Sequence, residues 1–145
     1  MNDIHYYEVD LLWNSGTQGT VSASGITPDI EVVTPPAFPN GIAGKWTPEH
    51  LFVASVNACL MSTFILVAGN SKFEYINFEC SAVGKFENVD GKFSLTEIVL
   101  RPKLTIPYLQ DGIKAERILE MSENACAISN SLKTKITLKP NIVIQ

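Results

Sequence analysis

The sequence predicts an α+β fold of order β-β-β-α-β-β-α-β, with long central helices against antiparallel sheets. Three observations carry that prediction. One uncharged run, Leu51 to Gly69, is long enough for about five helical turns. Short segments rich in aliphatic and aromatic residues flank it on both sides and read as strands. A second segment, Ile113 to Leu132, has helical periodicity and precedes a closing stretch of alternating character.

His5 to Trp13 reads as the first strand, and Asn14-Ser15-Gly16 as a turn. Gly19 to Ser24 and Ile30 to Val33 add two strands and complete an antiparallel sheet. Thr34 to Lys45 holds Pro35, Pro36, Pro39, Gly41 and Gly44, so regular structure is excluded there and a cover or arm is expected. Thr47 is an N-cap, Pro48 suits the first helical position, and Glu49 faces the positive end of the dipole. That helix stops at Gly69-Asn70.

Tyr75 to Glu87 and Phe93 to Thr105 are two strands joined by a hairpin at Asn88-Val89-Asp90-Gly91. Ile76, Phe78, Cys80, Ala82 and Phe86 share one face of the first. Pro107 and Asp111-Gly112 punctuate before the second helix, whose wet side carries Glu116, Arg117, Glu120 and Glu123. Another side carries Ile118, Ser122, Cys126 and Ser129. Ile136 to Ile144 closes the chain as a strand.

The length of 145 residues suits a single domain, 1–145. A hydrophobic content of 46% against 18% charged residues is apolar for a soluble chain, and points to burial in a dimer contact as well as in the core. A net charge of −4, with Lys133 and Lys135 the nearest thing to a basic cluster, excludes a nucleic-acid surface. Leu51 to Gly69 meets the length of a membrane span. Ser55, Asn57, Ser62 and Thr63 inside it, an acidic flank, and strands on either side favour a helix buried on most faces, with no membrane.

Three cysteines do not make a secreted disulfide framework. MNDIHYYEVDLLW has no basic leader, so the expected compartment is the cytoplasm, where a cysteine pair tends towards redox chemistry. His5 and His50 are the only histidines and no Cys-x-x-Cys occurs, so no metal site is expected. No phosphate-binding glycine motif appears, and no cofactor is expected.

Cys59 sits mid-run and Cys126 in the second helix. Two thiols on packed helices can form a reversible disulfide; two core cysteines fit the same pattern. Cys59 lies ten residues beyond Glu49, roughly 15 Å along an ideal helix, so the helix dipole does not reach it. Burial raises a thiol pKa, so another group has to lower it. Cys80, on a strand among apolar residues, reads as a packed small hydrophobe.

The segment WTPEHLFVASVNACLMSTF resembles the peroxidatic-cysteine segment of the OsmC/Ohr family, the osmotically inducible protein C and organic hydroperoxide resistance proteins. ENACAISNSLK looks like that family's second-cysteine segment, and GTQGTVSAS like part of its N-terminal sheet. The resemblance covers essentially the whole chain. It implies the OsmC-like fold, an intertwined homodimer with active sites at the interface, and an antioxidant thiol peroxidase active in stress. The implied substrate is an organic hydroperoxide and the implied reductant a lipoyl-type dithiol. By position, Cys59 matches the peroxidatic cysteine, Cys126 the resolving cysteine, and Glu49 the active-site glutamate. Glu49 is too far along its helix to touch Cys59 of the same chain, which agrees with an intersubunit site; a simple N-terminal charge is the other reading.

The family's active-site arginine has no counterpart. Ser15 to Gly19 and the loop TPPAFPNGIAGK hold none, and Arg101 and Arg117 lie elsewhere. Lys45 or His50 could supply the charge. Phe38, Ile42 and Trp46 could wall an acyl pocket or pack in a dimer. Without the arginine, an alternative is an OsmC-like redox-sensing or small-molecule-binding dimer lacking efficient turnover.

Overall fold

A computed structural model of the protein describes residues 3–145. The chain divides into two compact units, one ending at Leu51 and one beginning at Phe52.

The first unit is a three-stranded antiparallel sheet of β1 (Asp10–Ser15), β2 (Gln18–Ala23) and β3 (Ile26–Val33), with β2 central. β1 starts five residues later than the sequence suggests and runs on through Ser15; the turn falls at Gly16, whose φ of +52° suits glycine. Strand β3 starts four residues earlier than expected. Pro28 argues against a strand there, but β3 is an edge strand and its register shifts around the proline, where no ladder donor is needed. The proline-rich loop is a chain of tight turns. Phe38 N–H donates to the Pro35 carbonyl, Gly41 N–H to Phe38, and Ile42 N–H to Thr34, at 2.9–3.0 Å. A Cβ on Gly41 would lie 2.0 Å from the Pro35 carbonyl oxygen, so only glycine fits. The loop closes where Val33 N–H donates to the Trp46 carbonyl, 2.9 Å.

Helix α1 (Pro48–Asn70) opens as its residues dictate. Thr47 is 1% exposed, and its hydroxyl accepts the His50 N–H at 3.2 Å. The helix ends at Asn70; Phe73 N–H donates to the Ala68 carbonyl while Lys72 takes a positive φ.

The second unit packs α1 on a sheet of β4 (Asn77–Val89), β5 (Lys92–Ile106), β6 (Lys135–Leu138) and β7 (Asn141–Ile144). β4 and β5 are antiparallel, joined at Asp90-Gly91 with φ +53° and +84° as the hairpin signal requires. β6 and β7 both run parallel to β5, so this sheet is mixed rather than antiparallel throughout. The single closing strand expected from Ile136 to Ile144 is two strands, because Pro140 cannot donate within a ladder. Phe86 does not join the inward face of β4: a bulge between Lys85 and Phe86 switches the alternation, and Phe86 stacks on Phe93 instead.

Only one stripe of α1 is fully buried: Val56, Leu60, Phe64 and Ala68, spaced by four. Val56 and Leu60 pack on Ile98 and Leu100; Phe64 and Ala68 pack with Leu104, Ile106, Ile118 and Leu119. Asn57 Nδ2 donates to the Cys80 carbonyl, 2.9 Å, and ties α1 to β4. Met61, Ile65 and Leu66 stay 44–62% exposed. The expectation of a helix buried on most faces is therefore corrected. Among the described residues α1 is long and apolar enough to cross a membrane by length and composition, yet its central stripe forms the core of the sheet layer.

The second helix is shorter than Ile113–Leu132. α2 spans Gly112–Asn124, preceded by a 3-10 turn at Leu109–Asp111, and α3 spans Ala127–Asn130. Cys126 lies between them with extended backbone, φ −68° and ψ 113°. It is the N-cap residue of α3, not a mid-helix residue.

Candidate functional site

The sequence-predicted residues fall into two sets, one in each unit. In the second unit the interrupted helix brings Cys126 to α1. A continuous α2 would carry Cys126 onward along its axis. The break at Ala125-Cys126 instead turns the chain, so that α3 starts beside Cys59.

Cys59 is half-buried, and Cys126 is 0% exposed; both are free thiols. Burial pushes the Cys59 thiol up, but hydrogen-bonding groups more than offset it and hold it below its usual range. They are, in falling order, the Cys126 side chain, the Ile128 backbone, the Thr63 hydroxyl and the Ala127 backbone. Thr63 Oγ1 stands 3.9 Å from the sulfur, one turn along α1. Within one chain, the groups that lower Cys59 are the second thiol, Thr63 and the opening turn of α3. The pattern of Thr63 four residues after Cys59 carried part of this signal; the backbone donors exist only because the second helix breaks.

Cys126 is shifted the other way. Burial raises its thiol, and the neighbouring Cys59 sulfur raises it further, while the backbone and hydroxyl of Ser129 oppose. The pair is therefore asymmetric: one accessible sulfur inclined to ionise, one sealed sulfur inclined to stay protonated.

Cys80 packs against the Val56–Leu60 cluster. Burial pushes its thiol up to about 11. It also lines a shallow cavity of about 290 Å³ with Asn57, Met61 and Phe78.

In the first unit, Lys45 is ion-paired to Glu31, 2.9 Å, and its Nζ lies 3.5 Å from Gln18 Oε1. Gln18 also donates to Glu31. His50 Nδ1 lies 2.8 Å from Thr47 Oγ1, within the helix cap. Both candidate substitutes for the arginine thus have structural partners within this unit. Glu49 is half-buried in the first turn of α1. Trp46, Lys45 and His50 line a cleft of about 320 Å³. Phe38 and Ile42 are held in the turns of the preceding loop. No group of three or more His, Cys, Asp or Glu side chains suited to a metal ion occurs among the described residues.

The chain is thus an α+β protein with a half-buried thiol on α1 and a fully buried one at the α2–α3 junction. The sequence profile of the OsmC-like protein family matches residues 41–141, and the chain belongs to that family. Peroxiredoxin OsmC of Escherichia coli (strain K12) is 29% identical over 91 residues, 63% of each chain. Peroxiredoxin OsmC of Shigella flexneri matches equally. The chain thus spans about 63% of the length of these curated relatives.

Solved structures show the same fold. An OsmC-like protein of unknown function from Vibrio cholerae superposes with a TM-score of 0.82 at 23% identity, covering 94% of this chain and 99% of that one. An organic hydroperoxide resistance protein from Elizabethkingia anophelis, with thiocyanate bound, superposes at 0.78 with 22% identity over the whole of both chains.

Proposed function

We propose that this protein is a thiol peroxidase that reduces organic hydroperoxides through a cycle between Cys59 and Cys126. The observation that carries the reading is a half-buried Cys59 thiol with a fully buried Cys126 thiol as its neighbour, the two shifted in opposite directions. The names of the Escherichia coli and Elizabethkingia relatives, a peroxiredoxin and a hydroperoxide resistance protein, agree with it.

The Cys59 thiolate attacks the terminal oxygen of the hydroperoxide. The O–O bond breaks, Cys59 becomes a sulfenic acid, and the alkoxide leaves as an alcohol after taking a proton. The Cys126 sulfur then attacks Cys59, expelling the hydroxyl as water and forming a disulfide. An external dithiol of lipoyl type reduces that disulfide and returns both thiols. No metal or organic cofactor enters the cycle. The reducing conditions of a cytoplasm suit such a dithiol supply.

The working form we propose is a homodimer. The uncovered apolar side of α1, with Met61, Ile65 and Leu66, supports a partner surface. Glu49, ten residues before Cys59 on the same helix, is then assigned to a site completed by the second copy.

A second reading has a specific observation in its favour. Lys45, the cation nearest in sequence to the missing arginine, is committed to Glu31. A redox-sensing or ligand-binding dimer would form the Cys59–Cys126 disulfide but turn over slowly.

Steady-state consumption of cumene hydroperoxide with dihydrolipoamide separates the two. The peroxidase reading expects multiple turnovers in wild type, none in Cys59→Ser, and no dithiol-independent disulfide in Cys126→Ser. Wild-type protein that consumes no peroxide beyond one equivalent contradicts it and favours the sensing role.

A further inference from the structure

Two polar atoms beside the thiol pair have no part in the cycle above. Oε2 of Glu123 and Oγ of Ser129 are sealed from solvent, and neither completes a hydrogen bond. Glu123 lies in the last turn of α2 and Ser129 within α3, with Cys126 between them at the junction. The junction is tied by the Cys126 N–H donating to the Glu123 carbonyl, 3.1 Å. The Ser129 hydroxyl acts on the titration of both the Glu123 carboxyl and the Cys126 thiol, yet completes a hydrogen bond to neither.

Glu123 is half-buried, and an oxygen sealed without a partner costs stability, so the presence of its Oε2 next to reactive groups invites a functional explanation. Burial raises the Glu123 carboxyl above its usual range, opposed by Ser129. From the sheet, the Cys80 thiol on β4 is close enough to feel the charge of Glu123. No ion pair among the described residues includes Glu123. Cys126, meanwhile, must lose its proton to attack, and at 0% exposure it has no bulk water to take it.

We propose that Glu123, acting through the Ser129 hydroxyl, accepts the Cys126 proton as that sulfur attacks Cys59. The inference rests on the two-cysteine reading above. An S–S bond forms between Cys126 and Cys59, and the S–O bond of the sulfenic acid breaks. The Cys126 proton passes to the Ser129 oxygen, whose own proton moves to the carboxylate. Glu123 later returns one proton to the expelled hydroxide, which leaves as water. The hydroperoxide that formed the sulfenic acid is the only oxidant consumed.

The test needs no peroxide. In a Cys80→Ala background, an aromatic disulfide (dithionitrobenzoate) reacts at Cys59 and releases one coloured thiol; attack by Cys126 releases the second. At pH 7, Glu123→Gln should slow the second release about tenfold or more relative to wild type, as loss of a proton acceptor does. Its pH profile should move to the alkaline side. Ser129→Ala should behave alike, and Glu123→Asp should restore part of the rate. Wild-type rates and pH profiles in both Glu123→Gln and Ser129→Ala overturn the proposal. Failure of the peroxidase reading is distinct: cumene hydroperoxide would leave wild-type thiols unoxidised, while the second release kept its dependence on Glu123.

Discussion

The Thr63 hydroxyl lies 3.9 Å from the Cys59 sulfur, one turn further along the same helix. The hydroxyl can donate to the thiolate without any change in the chain's course. Thr63→Val keeps shape and branching and removes the donor. Alkylation of Cys59 by iodoacetamide at pH 7 should slow about threefold to tenfold, the worth of one hydrogen bond to a charged group. An unchanged rate would remove Thr63 from the set that stabilises the thiolate.

Ala127 offers a different perturbation. It is the first residue of α3, preceded by Cys126 in an extended conformation that a following proline accepts. Ala127→Pro should therefore keep the fold and stabilise it by about 0.4–1 kcal/mol through the unfolded chain. It should also slow Cys59 alkylation, because the Ala127 backbone is one of the groups that lower that thiol. Urea melts and alkylation kinetics check the two halves separately.

The sequence made the element order legible, and the places where it failed have physical causes. The caps at Thr47 and Asn70 and the Asp90-Gly91 turn are local chemistry, so they read correctly. The pattern of Ile118, Ser122, Cys126 and Ser129 suggested one continuous helix, because 3.6-residue periodicity survives a break of two residues. Nothing in Asn124-Ala125-Cys126 marks the break as a glycine or proline would. The donors that lower Cys59 depend on that break, so they were not legible either. The chain's apolar excess pointed to burial in a dimer contact as well as in the core; the structure leaves Met61, Ile65 and Leu66 of α1 exposed.

Gly84 on β4 packs closely under Val53 of α1. A Cβ there would lie 2.6 Å from Val53 Cγ2 and 3.0 Å from Leu95 Cδ2. Val53 is β-branched within a helix and has little rotamer freedom to retreat. Gly84→Ala should cost about 1–3 kcal/mol, as overpacking does. Chemical denaturation reads the loss; a neutral result would mean that α1 slides freely on β4.

Glu123 gives a pH dependence of known sign. Its carboxyl is raised in the fold by burial. Below the usual carboxylate range both folded and unfolded states are protonated, and the group contributes nothing. As pH rises through the unfolded and then the folded value, the folded state gives up its proton less readily and stability is lost. Glu123→Gln lacks that loss. The stability of the variant relative to wild type should therefore improve between pH 4 and pH 7, measured by urea melts. A gap constant over that range would show a carboxyl with ordinary titration.

Cys80 should take no part in turnover. With its thiol pushed up to about 11, only on the order of one molecule in ten thousand is ionised there at pH 7. Cys80→Ala should form the Cys59–Cys126 disulfide at the wild-type rate under peroxide, followed by the mass change of two hydrogens. Loss of disulfide formation in that variant would reassign the resolving thiol.

Peptide mapping after one equivalent of cumene hydroperoxide tests directly whether Cys59 joins Cys126. The predicted result is a linked pair of peptides, one from α1 holding Cys59 and one from the α2–α3 junction holding Cys126, absent after reduction. Cys59 recovered as sulfinic acid, or unmodified, with Cys126 still a free thiol, would contradict it.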